Sequence, residues 1–114
     1  MEKNIKIGIL LDLYGKLLTQ KQQTFLDDYY NNDLSLAEIA ENNGITRQAV
    51  RDVLQNGETN LYNYEDKLSL MKKEEKHQKE INQLIENIEK QEEKSSSKEY
   101  IDFLKEIKEY IKKL

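Results

Sequence analysis

Apolar side chains recur at intervals of three and four residues along most of the chain, which is the spacing of one face of an α-helix. The pattern predicts a first helix over residues 5–18 and a second from Gln20 to about Tyr30. The residues expected in the core are Ile7, Leu10, Leu11, Tyr14, Leu17 and Leu18, followed by Phe25, Leu26, Tyr29 and Tyr30. Thr19, with Gln22 three residues later, forms a capping box that predicts the start of the second helix.

Residues 35–57 predict two further helices joined by a tight turn, in the segment SLAEIAENNGITRQAVRDVLQNG. Ser35 and Glu38 form a second capping box, and Gly44 supplies the positive φ at which the first of these helices ends. Thr46 caps the following helix. The apolar stripe expected to face back onto the first helix consists of Ala49, Val50, Val53 and Leu54. This spacing is typical of a helix-turn-helix.

The opposite face of the second helix carries Arg47, Gln48, Arg51 and Asp52. The candidate nucleic-acid-binding residues lie at the start of this helix and are Thr46, Arg47, Gln48, Ala49 and Arg51. If this helix enters a major groove, residues near its start meet base edges, where Arg can bridge O6 and N7 of guanine and Gln can pair with adenine. The alternative is that this face is an ordinary solvated surface kept for protein contacts, with Glu38, Glu41 and Asp52 repelling phosphate.

Beyond the helix-turn-helix, the apolar positions become sparse and Lys and Glu dominate. The stripe Leu61, Tyr64, Leu68 and Met71 predicts either a seam between two copies or the closing wall of the core. Ser96 with Glu99 predicts a third capping box, before a last helix over residues 98–114. We therefore predict an all-α protein with a compact helical core over residues 1–71 and a long, charged helical arm over residues 72–114, either a hairpin or a dimerisation element.

The charge distribution limits what the core can bind. The chain has 114 residues and a net charge of −4, and residues 1–70 contain 7 basic and 11 acidic side chains. A phosphate-binding surface normally has a basic surplus, because releasing counterions from the polyanion supplies much of the affinity. DNA binding would therefore have to be local or cooperative, and a protein or ribonucleoprotein partner stays an open alternative.

The remaining signals argue against catalysis and membrane insertion. The chain has no Cys, no Gly-rich phosphate loop and one histidine, His77, in a Lys/Glu run, so we expect no metal, no cofactor and no enzyme. No apolar run approaches the ~20 residues that span a bilayer. Asp12 and Lys16 interrupt the N-terminal apolar segment, so it does not resemble a signal peptide, and we expect a cytoplasmic protein.

The segment LLTQKQQTFLDDYYNNDLSLAEIAENNGITRQAVRDVL resembles the YlxM family of small bacterial helix-turn-helix proteins and, more distantly, region 4 of sigma factors. The likeness extends over about residues 10–70. It implies an all-helical DNA-binding protein that takes part in the signal recognition particle pathway, since the genes of family members lie beside those of the pathway's GTPases. A component of that particle is the implied partner. The chain departs from the family pattern at Arg51, where Tyr is expected, which adds a candidate phosphate contact.

A homodimer is also expected. A helix-turn-helix that reads two half-sites needs a pair of such motifs about one duplex turn apart.

Overall fold

The computed structural model describes all residues from 1 to 114 and contains helices and no strands. The α-helices are α1 (Lys3–Tyr14), α2 (Gln20–Leu26), α3 (Leu36–Asn43), α4 (Arg47–Leu68), α5 (Leu70–Lys94) and α6 (Lys98–Lys112). A 3₁₀ turn, Gly15–Leu17, follows α1, and a π-helical turn, Asp27–Asn31, follows α2. The predicted all-α class is confirmed. By its contacts the chain divides into two units, Met1–Met71 and Lys72–Leu114.

The core of the first unit is built from the facing sides of α1 to α4. Its buried residues are Ile7, Leu10, Leu11, Tyr14, Leu18, Phe25, Leu26, Ile39, Ala40, Val50, Leu54, Leu61 and Met71. Each predicted apolar stripe of α1 to α4 contributes to this cluster. The helix-turn-helix is thus held on a support formed by α1 and α2 and does not depend on its own two helices alone.

Two residues that the pattern placed in the core lie nearer the surface. Leu17 is 55 % exposed because α1 ends at Tyr14 and the tighter 3₁₀ turn rotates Leu17 away from the buried face. Tyr29 is 37 % exposed because the wider π-helical turn begins at Asp27 and shifts the residues that follow it. The start of α2 is as predicted, since Thr19 and Gln22 make both hydrogen bonds of the capping box.

α4 continues through Gly57 to Leu68, well beyond the helix-turn-helix segment. Gly57 is buried, and a Cβ at this position would lie 2.8 Å from Cδ1 of Leu26, which is itself fully buried in α2. The absence of a side chain therefore allows α2 to approach the middle of α4. This close crossing fixes the position of the helix that carries the candidate site.

Alanine substitutions at two helical glycines are expected to act in opposite directions. Gly57→Ala should lower the free energy of unfolding by about 1–3 kcal/mol, because the fully buried Leu26 would have to shift to admit the added Cβ. Gly8→Ala is the matched control. Its Cβ would make only an ordinary contact, 3.8 Å from Oδ1 of Asn31, so the better helix propensity of Ala should raise stability by up to ~1 kcal/mol. Urea unfolding monitored by circular dichroism measures the free energy of unfolding of both variants. Equal changes for the two would show that Gly57 is not needed for the close approach of α2 and α4.

A buried hydrogen-bond network marks the junction of α4 and α5. Oε1 of Glu65 accepts from the hydroxyl of Tyr14 at 2.7 Å and from the N–H of Met71 at 2.9 Å. The same Tyr14 oxygen accepts the N–H of Leu70 at 3.0 Å. Ser69 separates the two helices in the left-handed region, at φ +55°. Burial, and then the hydrogen bond to Glu65, raises the pKa of Tyr14 above its ordinary value.

The stripe over residues 61–71 contributes mainly to the core. Leu61 is fully buried, Met71 is buried and Tyr64 is half-buried, whereas Leu68 is 44 % exposed. Two interpretations of this stripe were open, the closing wall of the core and a seam between two copies. Leu61 and Met71 favour the core wall, because both side chains are already buried within one chain.

The second unit consists of α6 and the part of α5 after Met71. The last helix begins at Lys98 as predicted, but the predicted capping box at Ser96 is wrong, because the capping residue is Ser97: its Oγ accepts the N–H of Tyr100 at 3.4 Å. An ion pair links the two helices, with Nζ of Lys108 3.0 Å from a carboxylate oxygen of Glu92. No helix of the protein is both long enough and apolar enough to cross a membrane.

Candidate nucleic-acid interface

The first helix of the motif, α3, begins at the predicted capping box. Oγ of Ser35 accepts the N–H of Glu38 at 3.1 Å, and Oε1 of Glu38 accepts the N–H of Ser35 at 3.2 Å. Two backbone donors that the first helical turn leaves free are satisfied in this way. The local sequence therefore determines where α3 starts, as expected.

The turn of the motif is centred on Gly44. Its backbone adopts φ +64° and ψ +35°, and the N–H of Ile45 returns to the carbonyl oxygen of Ala40 at 3.1 Å. This left-handed geometry closes a helix end and is costly for residues that have a Cβ. No heavy atom lies within 4 Å of a Cβ built at Gly44, so the requirement for glycine comes from the backbone and not from crowding.

The second helix of the motif, α4, begins at the predicted cap. Oγ1 of Thr46 accepts the N–H of Ala49 at 3.1 Å. Thr46 itself is exposed and Ala49 is half-buried. The hydroxyl of Thr46 therefore has a structural partner at the start of the helix, which fixes the direction in which the following side chains point.

The inner face of the motif packs as expected, with one difference. Val50 and Ile39 are fully buried, and Ala40 and Leu54 are 6 % exposed. Val53 is only half-buried at the edge of the cluster, so Val50 and Leu54, one turn apart, are the two residues that fill the space beneath α4. The small side chain of Ala40 allows α3 and α4 to lie close together.

The outer face presents the polar candidates to solvent. Arg47, Gln48 and Arg51 are exposed within the first two turns of α4, and neither guanidinium group is in an ion pair. Nε2 of Gln48 donates to Oδ1 of Asp52 at 2.9 Å. The arginines can therefore reach a ligand without breaking an internal contact, whereas Gln48 would exchange a hydrogen bond with a carboxylate for one with a base.

A groove of about 390 Å³ lies beside Arg51, and no local sequence pattern predicts it. It brings Lys3 from α1 and Tyr30 from the π-helical turn to the same surface as Arg51. Nζ of Lys3 lies 3.7 Å from Oε2 of Glu58, and the hydroxyl of Tyr30 donates to the same carboxylate. Burial, and then this hydrogen bond, raises the pKa of Tyr30. Glu58 thus offsets the positive charge of Lys3, and Arg51 is the cation of the groove that stays unpaired.

The paired tyrosines differ in their surroundings. Their rings meet edge to face with centroids 5.0 Å apart, and Tyr30 is half-buried against the core while Tyr29 is partly exposed. This geometry is that of a packed aromatic pair. No group of three or more His, Cys, Asp or Glu side chains is placed to hold a metal ion.

With this geometry established, comparison with known proteins identifies the family. The sequence profile of the family UPF0122, described as "Putative helix-turn-helix protein, YlxM / p13 like", matches residues 1–108. The chain belongs to this family. The predicted YlxM resemblance is therefore confirmed, and the family description names the same motif that α3 and α4 form.

Relatives in the family share much of this sequence. A UPF0122 protein of Clostridium kluyveri is 58 % identical over 71 residues, which are 62 % of this chain and 64 % of that protein. The match thus spans just under two thirds of the Clostridium kluyveri relative. A UPF0122 protein of Clostridium botulinum is 42 % identical over 103 residues, which are 90 % of this chain and 94 % of that protein.

Proposed function

We propose that this protein is a cytoplasmic, dimeric, DNA-binding regulatory protein that reads a major groove with the start of α4. Arg47 and Arg51 supply the contacts to guanine edges and phosphates, and Gln48 supplies a contact to adenine. Thr46 and Ala49 set the direction of the helix and border the duplex. The observation that carries this proposal is the pair of exposed guanidinium groups without ion pairs on the outer face of a helix-turn-helix.

The electrostatics predict weak binding by one copy. The first unit has an excess of acidic residues, so its long-range field repels DNA and only the local field near Arg47 and Arg51 attracts it. Each phosphate contact contributes about −0.9 to the slope of log K against log salt. Two arginines per copy would give a slope of roughly −2, and a dimer on two half-sites roughly −4.

Fluorescence anisotropy of the full chain with labelled duplex DNA tests the proposal. A duplex pool is first selected on the protein at low salt, and the enriched sequences are then titrated over a range of salt concentrations. Saturable binding with a salt slope of the expected size supports the proposal. If no duplex binds in a saturable way at low salt, the DNA-binding function is rejected.

A second candidate is an interaction protein of the signal recognition particle pathway. The acidic balance of the first unit favours it, because such a surface suits a basic protein partner better than a bare polyanion. The family resemblance proposes the GTPase or the RNA of the particle as the partner, and the acidic surface favours the GTPase over the RNA. Calorimetric titration of the full chain with the purified particle protein and with its RNA separates the two candidates, since a DNA reader need not bind either.

A further inference from the structure

One face of α6 is apolar and largely exposed. Its members follow the alternating three- and four-residue spacing of a helix-pairing seam and are Tyr100, Phe103, Ile107 and Tyr110, and Leu114 continues the spacing two residues beyond the end of the helix. Tyr100, Phe103, Tyr110 and Leu114 are 41 %, 56 %, 66 % and 76 % exposed, and only Ile107 is half-buried. We call this set the α6 seam.

The α6 seam is distinct from the face that α6 uses within its own unit. Leu104 is buried, and Ile101, Lys108 and Ile111 are half-buried, on the adjacent stripe. Lys108 on this stripe makes the ion pair with Glu92 of α5. Because the inner stripe is already used, the seam residues have few contacts in the second unit; one is that of Tyr110, whose ring centroid lies 6.0 Å from Nζ of Lys113.

The second unit has little core of its own. Ile81 and Leu104 are the only hydrophobic residues buried in it, whereas the α6 seam exposes three aromatic rings. Two helices with so small a core are marginal in isolation, and helical bundles usually reach stability with four. A further pair of helices on the seam would complete such a bundle.

We propose that the α6 seam binds the same seam of a second copy of this chain in an antiparallel arrangement. A two-fold interface must be complementary to itself, with residue i meeting residue j and j meeting i. In an antiparallel pair, Tyr100 would lie opposite Tyr110 of the second copy, and Phe103 opposite Ile107. Two Phe–Ile pairs would then lie at the centre of the interface, with a tyrosine pair on either side.

Charge complementarity favours a second copy in this orientation. Glu99 and Lys113 flank the seam on the same side and near opposite ends of α6. Reversing one helix brings Glu99 opposite Lys113 of the second copy, and this pair occurs twice. Glu106 on the same flank would lie near Glu106 of the second copy at the two-fold axis, one like-charge contact against the two attractive pairs. The second unit has 11 basic and 11 acidic residues, so two such units meet without net repulsion.

The available area is consistent with a dimer. Large aromatic side chains bury about 150–250 Å² each, so the exposed parts of the seam provide roughly 400 Å² per copy. Stable interfaces bury about 800 Å² per partner, and the aliphatic stems of the flanking Lys and Glu side chains would supply much of the difference. The seam alone therefore supplies about half the area of a standard interface, and the flanking stems must supply the rest.

Sedimentation equilibrium of the full chain tests this inference. The unmodified chain should be dimeric at micromolar concentration, and Phe103→Glu should weaken association by about 100-fold, because each dimer loses the contact twice. Lys105→Gln, on the opposite face of α6, makes the same change in net charge and should leave association unchanged. A monomeric unmodified chain, or a dimer that Phe103→Glu does not weaken, would overturn the inference.

A charge exchange distinguishes a second copy from any other partner and leaves the apolar residues intact. Glu99→Lys or Lys113→Glu alone should weaken association by about 5-fold, since two attractive pairs become repulsive. The double variant restores both pairs in an antiparallel homodimer and should recover the original affinity. If the double variant is weaker than either single variant, the antiparallel seam is wrong.

This inference rests on the proposed function in one respect: a protein that binds two DNA half-sites needs two helix-turn-helix motifs. Anisotropy titrations of the same variants with duplex DNA test DNA binding separately from dimerisation. A dimer that binds no duplex rejects DNA binding and leaves the seam intact. A monomer that binds duplex supports DNA binding and rejects dimerisation through the α6 seam.

Discussion

Glu65→Ala is expected to lower the free energy of unfolding by about 3 kcal/mol, a large effect for one substitution in a small protein. The carboxylate of Glu65 is buried and accepts hydrogen bonds from the hydroxyl of Tyr14 and the N–H of Met71. Alanine leaves both donors without this acceptor in the core, and each such loss costs about 1–3 kcal/mol. Urea unfolding of the full chain, monitored by circular dichroism, measures the change.

Two matched variants show whether the hydrogen bonds of Glu65 account for the lower free energy of unfolding. Glu65→Gln keeps one carbonyl oxygen as an acceptor, so it should cost less than Glu65→Ala. Asp66→Ala removes the neighbouring exposed carboxylate and should change stability by no more than about 0.5 kcal/mol. Equal midpoints for Glu65→Ala and Asp66→Ala would show that the buried carboxylate does not stabilise the junction of α4 and α5.

The features that the sequence predicted correctly depend on neighbours within four residues. The capping pairs Thr19–Gln22 and Ser35–Glu38, and the left-handed Gly44, are all set by local hydrogen bonds and local backbone sterics. Such interactions act over a single helical turn, so the local sequence is enough to predict where these helices begin and end. The bounds of α3 and the start of α4 followed from them.

The errors occurred where a helix changes its pitch. Leu17 and Tyr29 both fit a regular 3.6-residue period, but Leu17 lies in a 3₁₀ turn and Tyr29 in a π-helical turn, where the rotation per residue differs. Nothing in the composition of these turns distinguishes them from an ordinary helix end. The shift from Ser96 to Ser97 has a related cause, since three consecutive serines can each act as a cap and the sequence alone does not choose among them.

Contacts between residues far apart in the sequence could not be predicted, for a different reason. Tyr14 and Glu65 are 51 residues apart, and Lys3 and Arg51 meet at one groove only because α1 packs beside α4. A partial signal for Glu65 did exist. The buried positions 50, 54, 57 and 61 of α4 continue at helical spacing to 65, which places a carboxylate on the apolar face and predicts a buried partner for it.

Arg47→Ala and Arg51→Ala are each expected to weaken duplex binding by about 10-fold and to reduce the salt slope by about 1, if the proposed interface is correct. The reason is that each guanidinium is exposed, free of ion pairs and near the start of α4, where it can neutralise a phosphate or bridge a guanine. A base contact and a phosphate contact differ in one respect. Loss of a base contact relaxes specificity at one position, whereas loss of a phosphate contact weakens all sequences equally.

Lys67→Ala is the control that separates a local contact from a change in net charge. Lys67 lies in the last turn of the same helix, about 30 Å from Arg47, and its loss changes the net charge by the same amount. Anisotropy should therefore show little change for Lys67→Ala at physiological salt, where fields from exposed charges decay within about 8 Å. If Lys67→Ala weakens binding as much as Arg47→Ala does, the duplex responds to overall charge, and the start of α4 is not the recognition surface.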